Sequence, residues 1–283
     1  VRRIIFNIED RASIFLYHWF IYMITGLRHL KTGGTQGNGG GGKLEQNKEL
    51  FSGVVEEPYK VYFNYNPSYK DNLFFLDFQE ETFELLKGKF ELVRSINNDD
   101  IVLNNYGELI NDYDEHHIPT EGYDYLKSIF EIPYENDEIK YKKKYFIRRS
   151  KSHLLDGNQY FNNIKRRQII NENNLCDVLS TFGIEPIFLE DLSIREKIKL
   201  FRNSETIISP NSAGLLFSIF SNKNKIVEIN VSNPSQLSNQ YQSICTHFNI
   251  PYFKYTSEKR DSNDNMEINI DDFITFLKNN FII

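Results

Sequence analysis

Arg148 and Arg149, the small-residue turn Ser209-Pro210-Asn211-Ser212-Ala213-Gly214 and the histidine His18 are the residues best suited to chemistry. The arginine pair leaves a strand read at Tyr145-Phe146-Ile147, inside the basic cluster KYKKKYFIRRSK of residues 140–151. A guanidinium meets phosphate oxygens as a bidentate fork, which lysine cannot reproduce. Lys151 adds charge at the same strand end. The turn follows the β-branched run Thr206-Ile207-Ile208 and carries turn and N-cap side chains. Ala213 and Gly214 are small enough for a ligand to approach the backbone. Leu215 to Phe220 then reads as a short apolar helix, and residues 225–229, which include Glu228, as a strand. A helix opening behind such a turn, at the carboxyl end of a parallel strand, offers free N–H groups and a positive dipole end. That is a site for a phosphate or diphosphate. The plain alternatives are a capped helix without ligand and a solvated, charged strand end.

His18 sits with Trp19 in the first half of an apolar helix read over Ala12 to Leu30. A lone histidine there reads first as a satisfied core residue. His116-His117 cannot share one helix face and has no obvious third ligand, so no metal site is read there.

The elements that must position these groups alternate along the chain. Strands are read at Arg2–Ile8, Tyr59–Tyr65, Phe90–Val93 and Ile101–Leu103, and a helix at Phe75–Leu86 is closed by Gly88. Residues 31–43, KTGGTQGNGGGGK, have neither P-loop nor dinucleotide spacing and read as a flexible linker. The composition changes at Glu138. Beyond it come a helix over Asn171–Phe182 ended by Gly183, and a strand Ile187–Leu189 with Glu190 and Asp191 at its carboxyl end. Ser193 and Glu196 form a capping box for a helix over Ile194–Phe201. A helix at Gln236–Phe248, a strand at Tyr252–Tyr255 and a closing helix at Ile270–Phe281 complete the chain. Regular alternation from about residue 140 means an α/β domain with a parallel, helix-covered sheet. The less regular first part is consistent with a second α/β unit. The expected division is 1–138, 139–270 and a closing helix, 271–283, able to pack back on the first domain.

Composition narrows the function. With 283 residues, 40% hydrophobic and 25% charged, the chain suits one large α/β unit or two ordinary domains. A net charge of −6 argues against general nucleic-acid binding. Cys176 and Cys245 lie far apart in apolar surroundings, as buried thiols do. No run of 18 apolar residues, the length needed to span a bilayer, is read in the sequence. Location is read as cytoplasmic, or membrane-associated through residues beyond this sequence.

The order of these motifs resembles the family 61 glycosyltransferases. Tyr17-His18-Trp19 match a Tyr-His-Trp near the start of an early helix, and Phe78-Gln79-Glu80-Glu81 resemble a later Phe-Gln-x-Glu element. Ile147-Arg148-Arg149, Arg166-Arg167 with Asn171-Glu172, and Asp191-Leu192-Ser193 follow in family order. Pro210-Asn211-Ser212-Ala213-Gly214-Leu215, Phe220 and Glu228 occupy the places of a Pro-His-Gly-Ala-Gly-Leu turn, a Phe and a strand ending in Glu. Asn211 and Ser212 depart from the family's His-Gly. The resemblance implies a GT-B-like enzyme, two Rossmann-like domains facing a cleft. It implies sugar transfer with inversion from a nucleotide sugar, UDP-linked by expectation, to a glycan or glycoprotein hydroxyl. No metal or other cofactor is implied. Donor-side residues by resemblance are Arg148, Arg149, Lys151, Glu190, Asn211, Ser212, Ala213, Gly214, Leu215 and Glu228. His18 is the first candidate for the base that deprotonates the acceptor, and Asp10 the second. An inactive nucleotide- or glycan-binding relative is the alternative.

Overall fold

The computed structural model describes residues 4–9, 59–64, 81, 84–85, 90–92, 101–104, 123–124, 127–128, 130, 143–149, 168–222, 224–231, 240–262 and 265–283. The readings at residues 12–30, 31–43 and 116–117 lie outside them. The chain divides into two compact units, Val1–Glu131 and Ile132–Ile283.

The first unit holds β1 (Ile4–Glu9), β2 (Tyr59–Asn64), β3 (Phe90–Leu92) and β4 (Ile101–Asn104). They pair in the order β3-β2-β1-β4, and every pair is parallel. The helix read over Phe75–Leu86 is described at Glu81, Glu84 and Leu85.

In the second unit, β5 (Lys144–Arg148) leads to α1 (Glu172–Thr181), β6 (Ile184–Phe188) and a 3-10 turn, Leu189–Asp191. Next come α2 (Ile194–Asn203), β7 (Thr206–Pro210), a 3-10 helix over Ala213–Phe220 and β8 (Lys225–Val231). The chain closes with α3 (Gln240–His247), β9 (Tyr252–Ser257) and α4 (Ile270–Asn279). The strands form one parallel sheet in the order β6-β5-β7-β8-β9. After β6 the chain crosses back over β5 to place β7 on its other side. The order therefore reverses between β5 and β7, and ligands of open α/β sheets bind at the carboxyl ends of such a pair.

Alternation along the strands explains why this sheet is covered on both faces. Phe146, Ile208, Val227 and Ile229 share one apolar cluster with Leu175 and Leu179 of α1 and Phe273 and Leu277 of α4. Ile207 and Ile226, their neighbours along the strands, are equally buried. Phe201 of α2 meets Phe217 of the 3-10 helix, their ring centres 5.9 Å apart. Every residue of β7 is buried, as befits the middle strand.

Local signals set the helix ends. Ser193 Oγ accepts from the Glu196 amide at 3.1 Å, and Glu196 Oε2 accepts from the Ser193 amide at 2.9 Å. Gly183, beyond the end of α1, has φ 72°, where a side chain would be strained. The closing helix buries Phe273 and Leu277 in the core of the second unit. Asp272 on the same helix accepts from Tyr255 Oη at 2.9 Å. Both cysteines are free and buried, and burial raises Cys176 to about 11 and Cys245 to about 12.

Candidate functional site

The two strand ends at the reversal point are tied to each other. Arg149 follows the last residue of β5, and its Nη1 donates to the Asn211 carbonyl at 2.9 Å. Asn211 follows the last residue of β7, and its own amide donates to the Ile229 carbonyl of β8 at 2.8 Å. A guanidinium thus stands beside the turn that opens the 3-10 helix.

Arg148 is used differently. Its Nε and Nη2 reach Glu172 Oε2 at 2.8 and 2.7 Å, and Nη2 donates to Asn173 Oδ1 at 3.1 Å. The guanidinium also lies 4.7 Å from the centre of the Phe188 ring. The other oxygen of Glu172 accepts from the Arg149 amide at 3.3 Å. One carboxylate at the start of α1 therefore holds both the side chain of Arg148 and the backbone beyond it. Arg148 braces the strand end against α1 and β6, and Arg149 is the arginine brought to the turn.

Within the turn, Ser212 is the N-cap of the 3-10 helix, extended in backbone and without a side-chain cap bond. Its Oγ lies 3.5 Å from Ser209 Oγ. The Leu215 amide donates to the Ser212 carbonyl at 3.0 Å, which closes the first helical turn, and its side chain is fully buried. Leu215 is thus core, whereas Ala213 is exposed and Gly214 partly so. The sequence reading began this helix at Leu215. It begins at Ala213 and winds as 3-10, so the turn is shorter than expected.

Gly214 answers to packing. A Cβ there would lie 2.5 Å from Leu189 Cδ1, in the turn that carries Glu190. Glu190, partly exposed, is thereby held beside the helix start. Overpacking of this kind costs about 1–3 kcal/mol. Gly214→Ala is expected to lower thermal stability by that amount, and Leu189→Ala to cost less in the Gly214→Ala chain than in the wild type, because the two side chains compete for one space. A melt of Gly214→Ala at the wild-type temperature would contradict the packing.

Glu228 is fully buried. Its Oε1 accepts from Asn211 Nδ2 at 2.7 Å and from Asn230 Nδ2 at 3.2 Å, and its Oε2 from the Tyr252 hydroxyl. Burial, with Glu228 beside it, pushes the Tyr252 phenol well above its ordinary range. The glutamate read as a donor-side residue lies beneath the turn.

His18, Asp10 and Lys151 lie outside the described residues. Among the described residues, no three His, Cys, Asp or Glu side chains gather as a metal site. Sequence reasoning missed Glu172, Asn173 and Phe188 around Arg148, and Asn230 and Tyr252 around Glu228. Asn171-Glu172 was legible as a helix start, but not as the anchor of an arginine 24 residues earlier.

A family model described as Glycosyltransferase 61 matches residues 16–227, a span that includes Tyr17-His18-Trp19, the arginine pair and the turn. No curated protein matches the chain.

Proposed function

The chain belongs to the glycosyltransferase 61 family, and on that premise we propose how it works. It moves a sugar from a nucleotide-sugar donor, a UDP-sugar, to a hydroxyl of a glycan or glycoprotein, with inversion and without a metal. The observation that carries this reading is the Arg149–Asn211 link at 2.9 Å, which sets a guanidinium beside an uncapped helix start. The donor's diphosphate rests on that turn, facing the amides of Ala213 and Gly214 and the charge of Arg149. Preorganised donors of this kind act where charge develops, here on the departing diphosphate. Lys151 and Glu190 belong to the donor side.

In the reaction, a base takes the proton of the acceptor hydroxyl, and the oxygen attacks the anomeric carbon. The bond from that carbon to the phosphate oxygen breaks, and its electron pair leaves with the nucleoside diphosphate. His18 serves as the base, with Asp10 next in line. The two units then act as two Rossmann-like halves of a GT-B arrangement, the acceptor on the first and the donor on the second.

A second reading, a binding protein without transfer, rests on Asn211-Ser212 standing where the family pattern has His-Gly. Release of UDP from a panel of UDP-sugars, measured with chelator present, separates the two. Release from at least one sugar is expected. Binding without release from any of them supports the second reading.

A further inference from the structure

We infer that Glu228 is a positioning residue that sets Arg149 through Asn211, rather than a contact to the donor sugar or ribose. This rests on the reading of the Asn211–Leu215 turn as the diphosphate site.

Glu228 follows Val227 on β8 and projects to the opposite face of the sheet from Val227 and Ile229. No solvent reaches it, and both its oxygens are taken by protein donors. A ligand therefore has no open path to this carboxylate. The donors are two amides and a phenol, and no cation pairs with it among the described residues. A buried carboxylate held only by neutral donors is costly, and an apolar side chain of similar volume often serves stability as well or better. What the carboxylate does supply is a fixed acceptor for Asn211.

The chain of contacts is short. Tyr252 and Asn230 hold the Glu228 carboxylate, and the carboxylate holds the Asn211 side chain at 2.7 Å. The Asn211 backbone, pinned to Ile229, presents its carbonyl to Arg149. Removing Glu228 frees the Asn211 side chain and leaves the carbonyl that accepts from Arg149 held by the backbone bond to Ile229 alone.

The test is calorimetric titration of UDP into the full chain carrying Glu228→Ala, Arg149→Ala, both, or Glu228→Gln, each with a thermal melt. Glu228→Ala is expected to weaken UDP about tenfold, a coupling usual for residues in one hydrogen-bond network. In the Arg149→Ala background the same change should add less than about twofold, because the two act through one link. Glu228→Gln keeps an oxygen for the two amides and a donor for the Tyr252 oxygen, so its affinity should stay within about threefold of wild type. Losses that multiply in the double variant would overturn the inference, since Glu228 would then act on the nucleotide independently. Wild-type affinity in Glu228→Ala, or a loss in Glu228→Gln equal to that in Glu228→Ala, would overturn it too. Where Glu228→Ala does not fold, Asn211→Ala cuts the same link at its other end and carries the same expectation. A wild-type chain that binds no UDP overturns the reading of the site itself, a result distinct from any of these.

Discussion

His18→Ala is expected to lower the turnover number by about 100- to 10,000-fold, the usual cost of removing a general base. Affinity for UDP should stay close to wild type, because the proposed diphosphate site, the Asn211–Leu215 turn, belongs to the second unit. Inversion needs one group that accepts a proton near neutral pH on the acceptor side, and histidine is the side chain whose ordinary range meets that need. A core histidine makes the opposite forecast, a lower melting temperature with proportional loss of binding and transfer. Trp19, its neighbour in sequence, is the control. A large aromatic read as core from the apolar pattern around it should lose stability on truncation without a selective effect on rate. Melting temperature, UDP affinity and transfer rate on both variants decide between the two. Transfer at the parent rate in His18→Ala would move the assignment to Asp10.

Arg149→Ala is expected to weaken UDP by about 10- to 150-fold, as loss of a charge-assisted contact worth about 1.5–3 kcal/mol requires. Arg148→Ala should behave differently. Its guanidinium is committed to Glu172, Asn173 and Phe188, so its loss leaves the Glu172 carboxylate without its ion pair. The outcome expected is a lower melting temperature with a smaller change in affinity. From sequence alone the two arginines are equal candidates. Their separation comes from β5, whose last residue turns its side chain to α1 and β6 while the next reaches β7. Calorimetry that shows Arg148→Ala losing more UDP affinity than Arg149→Ala would reverse the assignment.

The legible parts of this chain are those encoded within a few residues. The capping box of Ser193 and Glu196, the left-handed Gly183 and the strand–turn–helix around Asn211 each follow from local chemistry, and each is present. Alternation after residue 140 was enough for a parallel sheet with helices on both faces. The form of the helix after the turn was not legible. Eight mostly apolar residues carry no helical signature that separates 3-10 from α. Glu228 shows the same limit at longer range. Val227, Glu228 and Ile229 sit in a strand buried on both faces, so the sequence cannot say which neighbours take the carboxylate. Tyr252 finds it from the adjacent strand, 24 residues on.

The most direct measurement is ligand-detected magnetic resonance on the wild-type chain across a panel of nucleotide sugars, with UDP as competitor. A glycosyltransferase that cradles a diphosphate at the Asn211–Leu215 turn should give saturation transfer from at least one UDP-sugar, displaced by UDP and lost in Arg149→Ala. A folded chain that binds none of the panel, or binds a sugar that UDP does not displace, would contradict that account.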